Sequence, residues 1–318
     1  MFSKQAEPIV TGIAFLGSHV RIVNGCLEPE MKAESPESNK LPTGRLMWQY
    51  RNHEEFECDD AASWPDILST KILPLIPDGS QVFVAIPPGK YQITQIDKPS
   101  VPDEEVEGAI PWLIKDLVSM PQEDMICDVF EPPFKLPGQP VKLNVVVSSR
   151  PVLMPLINVF QKAKVDLAAI VPQEFALPNI LRTSPDARVV ISQLKGSEAS
   201  LQIIKDGKIY FSRWLRGFNR IHEYDEHEIS PGISDSIGLE IQRSLDYYQS
   251  QLKQAPVKEI FISMATPYLD VLMRSVSETF QLKVFQLQFA SMEESPLSGE
   301  WFPAIGAALE YNFYQEES

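Results

Sequence analysis

The stretch TGIAFLGSHVRIV, Thr11 to Val23, is two short apolar runs around Gly17-Ser18. Small turn residues between apolar, partly β-branched runs predict an antiparallel hairpin. A second set of strands follows the chain's midpoint: ARVVISQL, ASLQIIKDG and KIYFSRWL. Asp206-Gly207 between the last two predicts a tight hairpin turn. Each half of the chain therefore opens on a hairpin.

Helix and strand patterns alternate after each opening. In the first half QVFVAIP, KLNVVVSS and VDLAAIVP read as strands. Asp103 to Ser119 is helical by spacing, with Val106, Ile110, Leu113 and Leu117 on one face. Pro111 inside it removes one backbone bond and costs roughly 3 kcal/mol in a regular interior, so a kink or restart is expected there. Val152 to Ala163 and EFALPNILR read as helical. In the second half, Ile237 to Leu252 is amphipathic, with Ile237, Ile241, Leu245, Tyr248 and Leu252 aligned. KEIFISM is a strand, and Tyr268 to Phe280 a helix with Leu269, Leu272, Val276 and Phe280 inward. LKVFQLQ is a strand, and Pro303 to Tyr314 a closing helix. Such alternation predicts a mixed α/β core.

Three stretches read as linkers or long loops: Asn24–Arg45, Glu131–Pro140 and Phe218–Ser234, the last acidic and ending in Pro-Gly. With 318 residues, two or more units are expected. Formal charge is 28 − 43 = −15, which repels phosphate backbones and anionic membrane surfaces. No apolar run reaches the ~20 residues that cross a bilayer. The start, MFSKQAEPIV, has no signal-peptide core. Cys26, Cys58 and Cys127 are scattered, which suggests neither a disulfide framework nor a thiolate metal site. A soluble protein of a reducing compartment is expected.

Four segments, in order, resemble the PilM-like type IV pilus assembly family, most closely its mannose-sensitive haemagglutinin branch. They are DEEVEGAIPWLIKDLVSMPQEDMICDVF, LNVVVSSRPVLMPLINVFQKAKVDLAAIVPQEFALPNILR, IIKDGKIYFSRWLRGF, and IGLEIQRSLDYYQ followed by KEIFISM and PAIGAALEYN. The first carries the family's aromatic at Trp112, its turn proline at Pro121, the acidic pair Glu123-Asp124 and the strand Cys127 to Phe130. The resemblance spans nearly the whole chain. It implies an actin-like ATPase (ribonuclease H-like) fold of two related halves with an inserted subdomain. The expected divisions are 1–85 (first core), 86–171 (insert), 172–183 (connecting helix), 184–300 (second half) and 301–318 (closing helix). It also implies a cytoplasmic protein that grips the tail of a PilN-like inner-membrane partner, with the pilus motor ATPase as a further partner. Contact with the membrane would run only through partners, and a homodimer stays open.

An actin-like nucleotide site needs an acid in each phosphate hairpin, acting on the metal through water, and glycines for close backbone approach. In the first hairpin Gly12-Ile13 match the family. Ala14 stands where the acid belongs and Leu16 where a glycine belongs, and Gly17-Ser18 are slightly out of place. In the second hairpin the acid position falls on Ser192 or Gln193, with Gly196 left to turn the chain. The adenosine loop is Met264-Ala265-Thr266-Pro267, without glycine. Gly306 lies in the closing helix near the same site. These loops are degenerate. ATP and Mg²⁺ are disfavoured, no cofactor or metal is expected, and the chain is expected not to be an enzyme. A nucleotide-binding switch with divergent loops is the alternative.

Partner binding is placed by fold analogy on the strand FVAIPP and the following helix, at Phe83, Ile86, Val106, Ile110 and Trp112. Trp112 has two readings: packing inside its helix, or anchoring a partner in a groove, where tryptophan buries much area at low entropy cost. His222 and His227 lack a metal-ligand spacing and read as a solvated loop. Glu54-Glu55, Glu57, Asp59 and Asp60 read as a solvated or partner-facing acidic run. Arg213-Trp214-Leu215-Arg216 reads as an edge strand with its aromatic inward, or as a basic contact for an acidic partner.

Overall fold

A computed structural model describes residues 8–29, 46–289 and 297–312. The chain forms two compact units, Met1–Asn179 with Pro303–Ser318, and Ile180–Phe302.

The first unit is built on a five-stranded sheet. β1 (Ile9–Phe15), β2 (His19–Pro29) and β3 (Leu46–Glu57) form an antiparallel meander. β4 (Gln81–Ile86) joins β1 in parallel on the other side. Next in the chain come β5 (Tyr91–Asp97), β6 (Met125–Phe130) and β7 (Lys142–Ser149), a separate antiparallel sheet ordered β5-β7-β6. The chain then returns with β8 (Asp166–Pro172), parallel to β4, so the first sheet runs β3-β2-β1-β4-β8.

Strand alternation assigns the two faces of β1. Ile13 and Phe15 point into a core with Val82, Val84, Ile86, Trp64, Leu68 and Phe160, where Trp64 lies on α1 (Trp64–Ile67). Gly12 and Ala14 point to the opposite face.

The small sheet carries α2 (Asp103–Ile114) on one face, where Val106, Ile110 and Ile114 pack on Leu143, Val145 and Val147. Its other face meets the main core through Ile126 and Val146, beside α3 (Arg150–Ala163). After β8, α4 (Gln173–Ala176) closes this part of the chain.

The second unit repeats the first sheet's order. β9 (Arg188–Ser192), β10 (Ala199–Lys205) and β11 (Lys208–Leu215) form a meander, with Asp206 and Gly207 at φ 53° and 73° in its turn. β12 (Glu259–Ser263) and β13 (Lys283–Gln286) add in parallel, giving β11-β10-β9-β12-β13. α5 (Ser234–Ser250) buries Ile237, Ile241, Leu245 and Tyr248, and α6 (Leu269–Phe280) buries Leu272 and Val276. The closing helix α7 (Phe302–Ala308) follows. In each sheet, strands numbered by their order of appearance lie 3-2-1-4-5.

Several expectations need correction. Asn24–Pro29 is not loop but the end of β2, held by a buried polar network: Thr11 donates to Asn24 Oδ1 (2.6 Å), and Asn24 Nδ2 donates to Asn52 Oδ1 (2.7 Å) and the Leu75 carbonyl (3.0 Å). The rest of that stretch, 30–45, lies outside the described residues, as do Phe313 and Tyr314 of the expected closing helix. Phe218–Ser234 is not a free loop, because Phe218, Ile221 and Ile229 are buried. α2 runs through Pro111 without a restart. The carbonyl Pro111 leaves unbonded belongs to Glu107, which is exposed, so water can satisfy it. The inward row is Val106, Ile110 and Ile114 instead of Leu113 and Leu117, because Leu117 lies beyond the end of the helix.

Candidate functional site

The first hairpin has the shape of a phosphate loop and the packing of a core element. Its turn is open: Leu16 N–H donates to the His19 carbonyl (2.8 Å), and nothing lies within 4 Å of a methyl placed on Gly17. Ser18 donates to or accepts from His19 Nδ1 (2.7 Å), and Arg21 pairs with Glu55 across the sheet. Gly12 is fixed for another reason. A methyl there would overlap the Ala304 carbonyl oxygen and press on Ala308, both of the closing segment. Ala14, 1% exposed, lies on the same sheet face, next to Ala85. The missing side chain at Gly12 lets α7 lie directly on β1. Gly306 repeats the theme, since a methyl there would overlap the Ala176 carbonyl.

The second hairpin is closed by its own side chain. Gln193, 3% exposed, is one of the two residues at which the acid position falls. Its amide nitrogen donates to the carbonyls of Leu194 (2.6 Å) and Ser197 (2.9 Å). Its amide oxygen accepts the Ala265 N–H at 3.0 Å, and its own N–H donates to the Ser263 carbonyl at 2.8 Å. One residue thus ties the Gly196 turn (φ 78°) to the loop Met264–Pro267. Ser192 holds the strand next to it, where its carbonyl accepts from Ser200 Oγ (3.4 Å). Glu300 accepts from the Lys195 N–H (3.0 Å), so a carboxylate faces the backbone donor an anion would use. Among the described residues there is no cluster of three or more His, Cys, Asp or Glu able to hold a metal.

The expected partner-binding residues divide sharply. Phe83 and Ile86 are buried at 0% and 3%, Phe83 edge-on to Tyr311 at 6.3 Å between ring centroids. Val106 and Ile110 are the core of the small sheet's helix. These four side chains are buried in the protein's own packing. Trp112 is the exception: it is 65% exposed, so the core-packing reading fails. Leu113 (45%) and Leu117 (56%) are exposed beside it. Helical spacing alone turns these two leucines inward. The signal against that was the apolar residue at Ile114, which completes the i, i+4, i+8 row.

This apolar face has an acidic frame. Asp103, Glu104, Glu105, Glu107 and Asp116 are all exposed on or beside α2. Lys98 bonds Asp103 at 2.8 Å and holds its carboxyl below the ordinary range. Exposed apolar patches rimmed by polar residues are the kind of surface that proteins, membranes or ligands cover. In Arg213-Trp214-Leu215-Arg216, Arg213 is already engaged by Glu240, while Arg216 is exposed.

No family model and no curated protein matches this chain by sequence. Solved structures do match. A PilM–PilN type IV pilus biogenesis complex is similar over 95% of this chain and 98% of that one, with a TM-score of 0.60 at 14% identity. The cytoplasmic domain of EpsL, an inner-membrane component of the Vibrio cholerae type II secretion system, matches at TM-score 0.48 and 13% identity. It covers 96% of this chain and 95% of that one. A Bacteroides thetaiotaomicron protein with an actin-like ATPase fold matches at 0.48 and 9%, covering 92% and 97%. With the twice-repeated sheet order, the fold is actin-like. No helix among the described residues is long and apolar enough to cross a membrane.

Proposed function

We propose that this chain is a non-enzymatic scaffold of a type IV pilus inner-membrane platform, of the PilM-like kind and, more narrowly, of the MshI type of mannose-sensitive haemagglutinin pili. It works in the cytoplasm, is held at the inner membrane by its partners, and links a PilN-like partner's tail to the motor. One observation carries the reading: on a fold shared with a PilM–PilN complex, α2 and the turn after it present Trp112, Leu113 and Leu117 to solvent among acidic residues. Tails of inner-membrane proteins are basic near the cytoplasmic membrane face, and the chain carries a formal charge of −15. An apolar-basic tail segment fits this surface, with Trp112 as its anchor.

The test is fluorescence anisotropy with a labelled N-terminal tail peptide of the PilN-like partner. Trp112→Ala is expected to weaken binding at least about tenfold, roughly 1.4 kcal/mol, without changing thermal stability, since the side chain is exposed. Absence of binding at millimolar peptide overturns the reading.

The retained hairpins keep a second reading in view, a nucleotide-binding switch. Calorimetric titration with Mg-ATP separates the two. The scaffold reading expects no heat of binding, because Ala14 and Gln193 supply no charge for the metal and Gln193 closes its loop. Tight binding that a Gly17→Val substitution abolishes would establish the switch.

A further inference from the structure

Among the described residues β13 is the last strand of its sheet and pairs with β12 alone. Leu287 N–H donates to the Ile262 carbonyl (2.8 Å), and Ile262 lies opposite Gln286. In a parallel ladder alternate residues turn their backbone groups to opposite sides. Phe285 and Leu287 therefore face β12, whereas Val284 and Gln286 aim their N–H and C=O away from it. Among the described residues no backbone hydrogen bond is formed on that side.

The same two residues line a groove. It runs between the β13 edge and α6, encloses about 840 Å³, and is walled by Pro267, Leu269, Met273 and Ser277 above Val284 and Gln286. Its charged lining is Asp270 and Glu278 against Arg274, net negative on a chain of −15. On the other face of the strand Phe285, 40% exposed, leans on Phe261 with ring centroids 5.4 Å apart. An edge with free donors and acceptors, beside a groove that receives alternate side chains, is the arrangement by which an extended peptide adds a strand to a sheet.

We propose that the β13 edge is a second docking site, distinct from the α2 face, for an extended peptide of alternating apolar and basic residues. Its backbone pairs with Val284 and Gln286. Apolar side chains on one face fill the groove between Met273 and Val284. Lysine or arginine side chains reach Asp270 and Glu278. On the opposite face an apolar residue covers Phe285.

The experiment uses the full chain and a labelled eight-residue peptide of alternating valine and lysine, read by fluorescence anisotropy and by amide hydrogen exchange. Binding is expected to slow exchange at Val284 and Gln286. Val284→Pro removes only an outward-facing donor and leaves the pairing with β12, so the fold is kept. It is expected to lower affinity at least about tenfold with melting unchanged, 1.4 kcal/mol per tenfold. Met273→Glu supplies a second variant that closes the groove without touching the backbone. Trp112→Ala is expected to leave this binding intact, which separates the site from the α2 surface. Unchanged affinity in both groove variants, or protection elsewhere than at the two amides, overturns the proposal. Concentration-dependent dimerisation without peptide, abolished by Val284→Pro, overturns the peptide as occupant and assigns the edge to a second copy.

Discussion

The two meanders share a strand order and differ in what holds them. In the first, the turn at Gly17-Ser18 is bare, and β1 beneath it meets α7 at Gly12. In the second, the turn at Gly196 is gripped from within by Gln193, which reaches the next loop at Ala265. A nucleotide site of this fold would need both acid positions free to face a metal. At the positions the family resemblance assigns, Ala14 and either Ser192 or Gln193, no side chain is charged, and the Gln193 amide has both its oxygen and its nitrogen engaged. The difference shows that one topology holds its two hairpins by two routes: in the first a glycine admits a helix, and in the second a polar side chain links two loops.

The largest effect is expected where backbone meets backbone. Gly12→Val pushes a branched side chain into the Ala304 carbonyl. Overpacking that backbone cannot evade is expected to cost about 3 kcal/mol or more, measured by denaturant unfolding. Gly17→Val, five residues on, has open space around it and is expected to shift stability by less than about 0.5 kcal/mol. The pair of substitutions separates a packing glycine from a ligand-approach glycine. Equal costs would mean that the helix contact does not hold this hairpin.

Next comes the link in the second unit. Gln193→Ala strips the acceptor from the Ala265 N–H and the donor from the carbonyls of Leu194 and Ser197. Leaving such groups unpaired costs about 1–3 kcal/mol. Hydrogen exchange at Ala265 is expected to quicken, while amides of β1 and β2 are unchanged. Gln193→Glu is informative beside it, since a carboxylate keeps the acceptor and loses the two donated bonds. It is expected to protect Ala265 while loosening the Gly196 turn. If the Ala265 amide exchanges at the same rate in all three proteins, the side chain does not join the loops.

Much of this contrast was readable in the sequence, and the reasons for the rest are local. The strands around Gly17 and Asp206-Gly207 announced themselves by apolar runs and turn residues, and Ala14 and Gln193 by their lack of charge. What Gln193 does instead was not legible, because its three partners lie on two loops 72 residues apart at the widest. β3 was hidden by its acidic run: as an edge strand it exposes Glu54 and Glu57 while Trp48 is buried, so it has no alternating apolar signature. Fold analogy locates the strand of Phe83 and Ile86 but not which of its faces is covered, and both side chains are buried. Trp112 followed the opposite course. A tryptophan in a helix reads first as core, and only the row Val106, Ile110, Ile114 shows that it points away.

The smallest effect concerns both units together and appears only in alkali. Tyr91, in the first unit, and Tyr248, in the second, are buried at 7% and 1% exposure. Burial pushes the phenol of Tyr248 up to about 12 from 10.0, and raises that of Tyr91, to which the neighbouring Glu174 carboxylate adds. Both phenols hold their protons more tightly folded than unfolded. Between pH 10 and 12 the folded chain thus binds more protons than the unfolded one, and stability falls as pH rises. Below the ordinary phenol value the contribution is complete. Melting followed from pH 8 to 11.5 is expected to be flat from these groups up to about 10 and then to decline. Tyr248→Phe, which keeps the ring against Tyr210 (6.2 Å) and has no proton to lose, is expected to reduce the slope for the second unit only. Tyr91→Phe does the same for the first. An unaltered slope in both variants would mean that neither phenol sets the alkaline limit.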